Sequence, residues 1–213
     1  MRSIDDQCNS IKYDGQEGTN TVAIFITGGA RSGKSHFAEQ LATRKHDSGI
    51  YIATSEALDD EMAERIRKHQ ADRISSGFDW DTVEVPLQLS DKLRELGSRP
   101  SDEMSRRVVL VDCLTLWLSN WFFALEAEAN RETMLQHEIE RLAGEVSEYR
   151  YPLIIVSNEV GDGIVPMDAL SRQYRDAAGR LNQAVARHCE QAFLVTAGIP
   201  IDLKRFAFQW DEL

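Results

Sequence analysis

Short apolar runs alternate with longer amphipathic stretches over most of the chain. The short runs are rich in Val, Ile and Leu, which is typical of strands buried on both faces of a parallel sheet. The longer stretches repeat apolar residues every three or four positions, as amphipathic helices do. We predict strands at residues 22–27, 49–54, 81–85, 107–112, 153–157 and 192–196. We predict helices at residues 34–45, 58–73, 87–96, 129–149 and 168–188, and a loop at 95–107.

This alternation predicts an α/β fold, with a mostly parallel central sheet and helices on both faces. In such sheets, ligands bind at the carboxyl ends of the strands. The functional residues should therefore follow directly after predicted strands. Residues in that position are GGARSGKS at 28–35, Thr54, Ser55, Asp112, Asn158 and Glu159.

The stretch at 28–35 fits the pattern of a phosphate-binding loop, GxxxxGK[ST], with a strand before it and a helix after it. Its glycines let successive backbone N–H groups point at phosphate oxygens, and the helix N-terminus adds a positive dipole. The alternative is a chance Gly-rich turn. In this context we predict a P-loop NTPase fold of the RecA-like kind. The nucleotide-binding residues are then Gly28, Gly29, Ala30, Arg31, Ser32, Gly33, Lys34 and Ser35.

Three side chains, two of them in this loop, are candidates for contacts with the nucleotide phosphates and their metal ion. Lys34 is expected to contact the terminal phosphates, and the Ser35 hydroxyl is expected to bind Mg²⁺. Asp112 ends the strand RVVLVD, where its carboxylate could hold the hydrated metal opposite Ser35. Alternatively, Asp112 is an ordinary strand-ending residue, or it caps a helix that begins near Thr115.

His69 lies near the apolar stripe of the predicted helix 58–73, between Arg65 and Arg73. Neighbouring arginines lower the pKa of an imidazole and favour its neutral form. A neutral imidazole can act as a nucleophile, and the arginines could screen a phosphate that it attacks. A surface histidine that completes a helix terminus is the simpler alternative from the residues alone.

The segment 158–188 is also unusual. Its loop, rich in Gly and Pro, follows a buried strand, as ligand-contacting loops often do. The polar face of the helix after it carries few Lys and Glu and a mid-helix glycine, which costs about 1 kcal/mol relative to Ala. That face could approach a ligand or another chain, or it could be solvated. Its residues are Arg172, Arg175, Asp176, Gly179 and Gln183.

Composition narrows the function classes. The net charge is −11 over 213 residues, which disfavours nucleic acid or an anionic membrane as partners. The three cysteines have no disulfide or zinc-site spacing and fit a reducing cytoplasm. No apolar stretch is long enough to predict a membrane span. We expect a polar, mobile tail at residues 1–20 and a single domain at 21–213.

Four segments taken in order closely resemble the bifunctional adenosylcobinamide kinase/adenosylcobinamide-phosphate guanylyltransferase family of cobalamin biosynthesis. They are GGARSGKS, YIATSEALDDEMAERIRKHQADR, VLVDCLTLWLSN and NEVGDGIVPMDALSRQYRDAAGRLNQAVA. The closing AGIPIDLK also resembles the C-terminal strand and tail of that family. The second and fourth segments are the most specific.

The resemblance implies two reactions. The first phosphorylates the hydroxyl of the aminopropanol arm of adenosylcobinamide with ATP or GTP. The second transfers GMP from GTP to that phosphate through a GMP-histidine intermediate, giving adenosylcobinamide-GDP and pyrophosphate. The resemblance makes His69 the nucleophile, which reverses the interpretation from the residues alone. It also implies a homotrimer.

The resemblance adds nucleotide contacts to the phosphate loop. They are Ala53, Thr54, Ser55, Gln70, Ala71, Asp72, Arg73, Glu84 and Asp112. Glu159 is a candidate for the base that deprotonates the attacking hydroxyl, from its position alone. Two other functions stay open: a kinase-only cobinamide enzyme, and a GTP-dependent switch that controls a partner protein.

Overall fold

A computed structural model describes residues 23–56, 64, 67, 71, 73, 75 and 77–208. The predicted tail at residues 1–20 lies outside the described residues, as does most of the predicted helix 58–73. The five described residues between positions 64 and 75 are all helical.

Seven strands of the described residues form one sheet in the order β3-β2-β4-β5-β1-β6-β7. All neighbouring strands run parallel except β7, which is antiparallel to β6. The mostly parallel sheet predicted from the apolar runs is therefore confirmed. The strands are β1 Ala23–Thr27, β2 Ser48–Ala53, β3 Asp79–Glu84, β4 Arg107–Asp112, β5 Leu153–Val156, β6 Gln191–Thr196 and β7 Ile199–Asp202.

Most of the described helices agree with the prediction to within two residues at each end. They are α1 Lys34–Lys45, α2 Leu89–Gly97, α3 Ser101–Met104, α4 Leu114–Ala124, α5 Arg131–Glu148 and α6 Ala169–His188, followed by a 3₁₀ turn at Lys204–Phe206. The prediction of a loop at 95–107 was wrong at α3, a single helical turn. Helix α4 is anticipated only by the alternative that Asp112 caps a helix near Thr115, because its sequence LTLWLSNWFFA is mostly apolar and has no clear helical period.

Residues along each central strand alternate between two hydrophobic clusters, one on each face of the sheet. Phe25, Ile52 and Val111 pack on the face that is covered by α2, α4, α5 and α6. Ile26 and Leu110 pack on the opposite face with Ala38 and Ala42 of α1. Helices therefore cover both faces, as predicted. Within the described residues, no helix combines the length and apolar character needed to cross a lipid bilayer.

Candidate nucleotide-binding and catalytic site

The predicted phosphate loop joins β1 directly to α1. Arg31 and Gly33 have left-handed backbone conformations, with φ of 58° and 95°. These turns curl the loop, so that Ser32 N–H donates to the Gly29 carbonyl at 3.2 Å. Phe37 N–H then donates to the Gly33 carbonyl at 2.9 Å and starts the helical hydrogen-bond ladder. The loop thus brings its backbone N–H groups to the N-terminus of a 12-residue helix.

Backbone hydrogen bonds hold this loop on both sides. Glu159 N–H, just beyond β5, donates to the Gly28 carbonyl at 3.0 Å. Gly198 N–H, in the turn between β6 and β7, donates to the Ser32 carbonyl at 2.8 Å. The phosphate loop therefore lies between the segment after β5 and the turn after β6.

Gly28 has no room for a side chain. A Cβ atom there would lie 2.3 Å from the Val195 carbonyl oxygen and 2.7 Å from Ser32 Oγ. We expect Gly28→Ala to displace the loop and to weaken binding of a fluorescent GTP analogue at least about tenfold. The control is Gly144→Ala, on the exposed side of α5, where a Cβ meets no atom within 4 Å. Equal GTP affinity in both variants would contradict the packing described for Gly28.

Lys34, the first residue of α1, is only 8% exposed. Its ammonium group donates to the Gly29 carbonyl at 3.2 Å, so the charge is held across the loop rather than extended into solvent. Ser35 follows on the first turn of the same helix. The two side chains that are predicted to contact phosphate and metal therefore both begin at the N-terminus of α1.

Asp112 lies at the carboxyl end of β4, as predicted, and the Tyr51 hydroxyl donates to its Oδ2 atom at 3.0 Å. Burial and the negative charge of Asp112 raise the pKa of Tyr51, so the phenol stays protonated and remains a donor. Asp112 does not cap α4 with its side chain, because Cys113 is the N-cap residue and makes no side-chain capping bond. The helix-capping alternative for Asp112 is therefore wrong.

Arg73 is 5% exposed, and its guanidinium carbon lies 3.7 Å from the centre of the Tyr51 ring. A planar cation at this distance is attracted to the ring face. Tyr51 thus contacts Arg73 through its ring and Asp112 through its hydroxyl. This arrangement brings one of the predicted nucleotide contacts close to the predicted metal carboxylate.

The predicted contacts on β2 and β3 occupy the carboxyl ends of these strands. Ala53 is paired with Asp112 on one side and with Glu84 on the other. Thr54 is fully buried, and its hydroxyl donates to the Cys113 carbonyl at 2.7 Å while it accepts from Cys113 N–H at 2.9 Å. Thr54 therefore braces the start of α4 with its side chain. Glu84 is exposed. Its strand, β3, is the fourth strand away from β1, so about 19 Å of sheet separates Glu84 from the strand that precedes the phosphate loop.

His69, Gln70 and Asp72 lie outside the described residues. Ala71 is helical and exposed, and Ser55 is half-buried two residues after the end of β2. The nucleotide contacts and the catalytic role assigned to these residues stay predictions. Among the described residues, no group of three or more His, Cys, Asp or Glu side chains could form a protein-only metal site.

Sequence reasoning missed the polar network behind the site. The Asn158 amide donates to Thr115 Oγ1 at 2.6 Å, and the Asn182 amide donates to the Asn158 carbonyl at 3.0 Å. The Ser157 hydroxyl donates to Asn182 Oδ1 at 2.6 Å. The sequence places Asn158 after a strand but does not indicate its partners. An asparagine at position 182 on an otherwise apolar helix face was the available signal.

The chain matches the family described as cobinamide kinase / cobinamide phosphate guanyltransferase over residues 24–203. The chain belongs to that family. It is 44% identical over 180 residues to the bifunctional adenosylcobalamin biosynthesis protein CobP of Pseudomonas aeruginosa, with 84% of this chain and 96% of the relative covered. It is 39% identical over 191 residues to the bifunctional adenosylcobalamin biosynthesis protein CobU of Salmonella typhimurium. That alignment covers 86% of this chain and 100% of the relative.

Family membership confirms the resemblance and the predicted enzyme class, a kinase and guanylyltransferase of cobalamin biosynthesis. Among solved structures, the RadB recombinase aligns with a TM-score of 0.42 and 15% identity, covering 83% of this chain and 74% of that one.

Proposed function

We propose that this chain phosphorylates adenosylcobinamide with ATP or GTP and then transfers GMP from GTP to the adenosylcobinamide phosphate. The proposal is supported most by the row of groups at the carboxyl edge of the sheet. The phosphate loop follows β1, and Asp112 ends β4. Arg73 and Asp112 both contact Tyr51, one at its ring and the other at its hydroxyl. One nucleotide site would serve both reactions.

In the first step, the loop N–H groups and Lys34 would hold the phosphates while the substrate hydroxyl attacks the γ-phosphorus. The bond from that phosphorus to the β–γ bridging oxygen would break, and ADP or GDP would leave. Lys34 would neutralise the charge that develops on the transferred group. Glu159 follows β5 closely, and its Oε1 atom accepts from Gly161 N–H at 2.6 Å. It is our candidate to accept the proton of the attacking hydroxyl.

In the second step, the neutral imidazole of His69 would attack the α-phosphorus of GTP. The bond between the α-phosphorus and the bridging oxygen would break, and pyrophosphate would leave. The phosphate of the substrate would then attack the same phosphorus and release His69. Arg73 lies four residues after His69. We therefore propose that its guanidinium neutralises the charge of the phosphate that His69 attacks.

Mg²⁺ fits the groups present, because it prefers hard oxygen donors and commonly binds through one or two protein groups together with nucleotide phosphates. Ser35 would supply a hydroxyl and Asp112 a carboxylate, whose Oδ2 atom is oriented by Tyr51. When bound, the ion would neutralise phosphate charge.

The function is tested by incubating the purified chain with Mg²⁺, GTP and adenosylcobinamide and analysing the corrinoids by mass spectrometry. We expect adenosylcobinamide phosphate to form first and adenosylcobinamide-GDP to follow. A kinase-only enzyme would stop at the phosphate. A GTP-dependent switch would leave the corrinoid unchanged, and this result would overturn the proposal.

We further propose that the chain is cytoplasmic and forms a homo-oligomer, a trimer by analogy with its family. Cys113 and Cys189 are free, buried thiols, which suits a reducing compartment. Among the strands of the described residues, β7 is the outermost on its side of the sheet, and its outer edge pairs with none of them, so it could accept another chain. Exposed apolar side chains on and after it are Ile199, Ile201, Leu203, Phe206 and Phe208.

We expect the unchanged protein to elute at three times the mass of one chain and Ile201→Asp to elute as a monomer, measured by light scattering after gel filtration. A charge on the apolar edge would have to be desolvated in the interface. The control is Phe123→Asp on α4, which alters an apolar residue that is 62% exposed. An unchanged mass for Ile201→Asp would contradict the role of β7.

A further inference from the structure

The segment between β5 and α6 presents large apolar side chains to solvent. Ile164 and Met167 are 96% and 98% exposed. Val165 and Leu170 are exposed by 61% and 53%. We call these four residues the apolar platform. Four such side chains within seven residues form a concentrated apolar surface of the kind that usually marks a binding site.

The backbone of the platform is held in place. The Arg172 guanidinium donates to the carbonyl oxygens of Pro166 at 2.9 Å and Met167 at 2.6 Å. Asp168 caps α6 by accepting from Ser171 N–H at 2.7 Å. These hydrogen bonds fix the backbone from Pro166 to the start of α6, so Met167 and Leu170 are presented outward by an ordered part of the segment.

The platform begins where a substrate must approach. β5 lies between β1 and β4 in the sheet, with Val156 paired to Ile26 on one side and to Asp112 on the other. Its carboxyl end therefore lies between the phosphate loop and Asp112. A hydroxyl that attacks a phosphate held between these two groups has to approach near this end, from which the platform segment extends. Glu159 contacts the loop, and Ile164 is five residues further on, at most about 17 Å away.

We propose that the apolar platform binds the corrinoid macrocycle of the substrate while its aminopropanol arm extends to the phosphate loop. This inference rests on the proposed function. A corrinoid carries many methyl groups around a broad ring, and these can bury the Ile, Val, Met and Leu side chains. The arm is flexible and carries the reacting hydroxyl at its end, so the ring can rest beside the nucleotide site and not inside it.

Position favours the corrinoid over a second copy of the chain as the occupant. The platform segment leaves the sheet after β5, on the side of the phosphate loop that faces Asp112, whereas the exposed apolar edge of β7 begins at the other side, after Gly198. A subunit that covered the platform would stand in the path of the attacking hydroxyl. The β7 edge offers a subunit contact that leaves this path open.

The test uses the full chain with Ile164→Ser, Met167→Ser and both changes together. We measure kcat and KM for adenosylcobinamide phosphorylation, incorporation of GMP from GTP into protein without corrinoid, and mass by light scattering. We expect the double variant to raise the KM for adenosylcobinamide at least about tenfold, because two apolar contacts are lost. GMP incorporation, kcat and mass should stay unchanged. The control is Phe123→Ser on α4, which should leave all four values unchanged.

Other results overturn the inference in distinguishable ways. An unchanged KM, with GMP incorporation intact, shows that the corrinoid binds elsewhere while the proposed function stands. A fall in mass with unchanged KM assigns the platform to a subunit contact. If the unchanged protein phosphorylates no adenosylcobinamide, the proposed function itself fails, and the inference fails with it.

Discussion

Lys34→Ala should lower the rates of both cobinamide phosphorylation and GMP transfer by about a thousandfold while the fold is retained. The ammonium group is buried and held across the loop at the Gly29 carbonyl. Removing it would leave the negative charge of the transferred phosphoryl group without the positive partner that we propose for it. Loss of one such preorganised group commonly costs about a hundredfold to a thousandfold in rate.

The matched control is Lys45→Ala, which removes the same charge from the last residue of the same helix. Lys45 lies near the amino ends of the strands, beside Ile24 and Leu153, and so at the opposite edge of the sheet from the phosphate loop. Steady-state rates of both reactions and thermal unfolding are measured for the two variants. A Lys34→Ala enzyme that keeps either reaction at full rate would show that the loop does not serve that step.

His69→Ala should abolish GMP transfer, by at least about a thousandfold, and keep most of the kinase activity. The reason is chemical: the imidazole is the proposed nucleophile of the second reaction and has no covalent role in the first. The two rates are measured separately, with adenosylcobinamide as acceptor for phosphorylation and adenosylcobinamide phosphate as acceptor for GMP.

The control for this variant is His137→Ala, which removes an exposed imidazole from α5. It should leave both rates unchanged. Equal losses of kinase and transferase activity in His69→Ala would contradict the division of labour between the two steps. The same equal losses in His137→Ala would point to a general loss of folded protein.

The phosphate loop could be predicted from the sequence because its chemistry is local. Residues 28–35 contain the glycines, the lysine and the hydroxyl that the loop needs, and the strand and helix beside them are equally clear. The order of apolar runs also predicted the parallel sheet. Both signals lie within a few residues of the feature that they describe.

Contacts between distant residues could not be predicted in this way. Tyr51 is 61 positions from Asp112, and nothing in the segment YIATS indicates that its hydroxyl orients that carboxylate. The packing of Arg73 on Tyr51 joins residues that lie far apart along the chain. Helix α4 was not predicted in full for another reason, since a helix that is mostly apolar has no distinct polar face to reveal its period.

The proposed function requires that one chain carries out both reactions through a GMP-histidine intermediate. The most direct test supplies GTP labelled on its α-phosphate, isolates the protein and then adds adenosylcobinamide phosphate. We predict acid-labile, alkali-stable label on the protein, absent from His69→Ala, that passes to the corrinoid when the acceptor is added. Label that never forms, or that stays on the protein after the acceptor is added, would contradict the proposed mechanism.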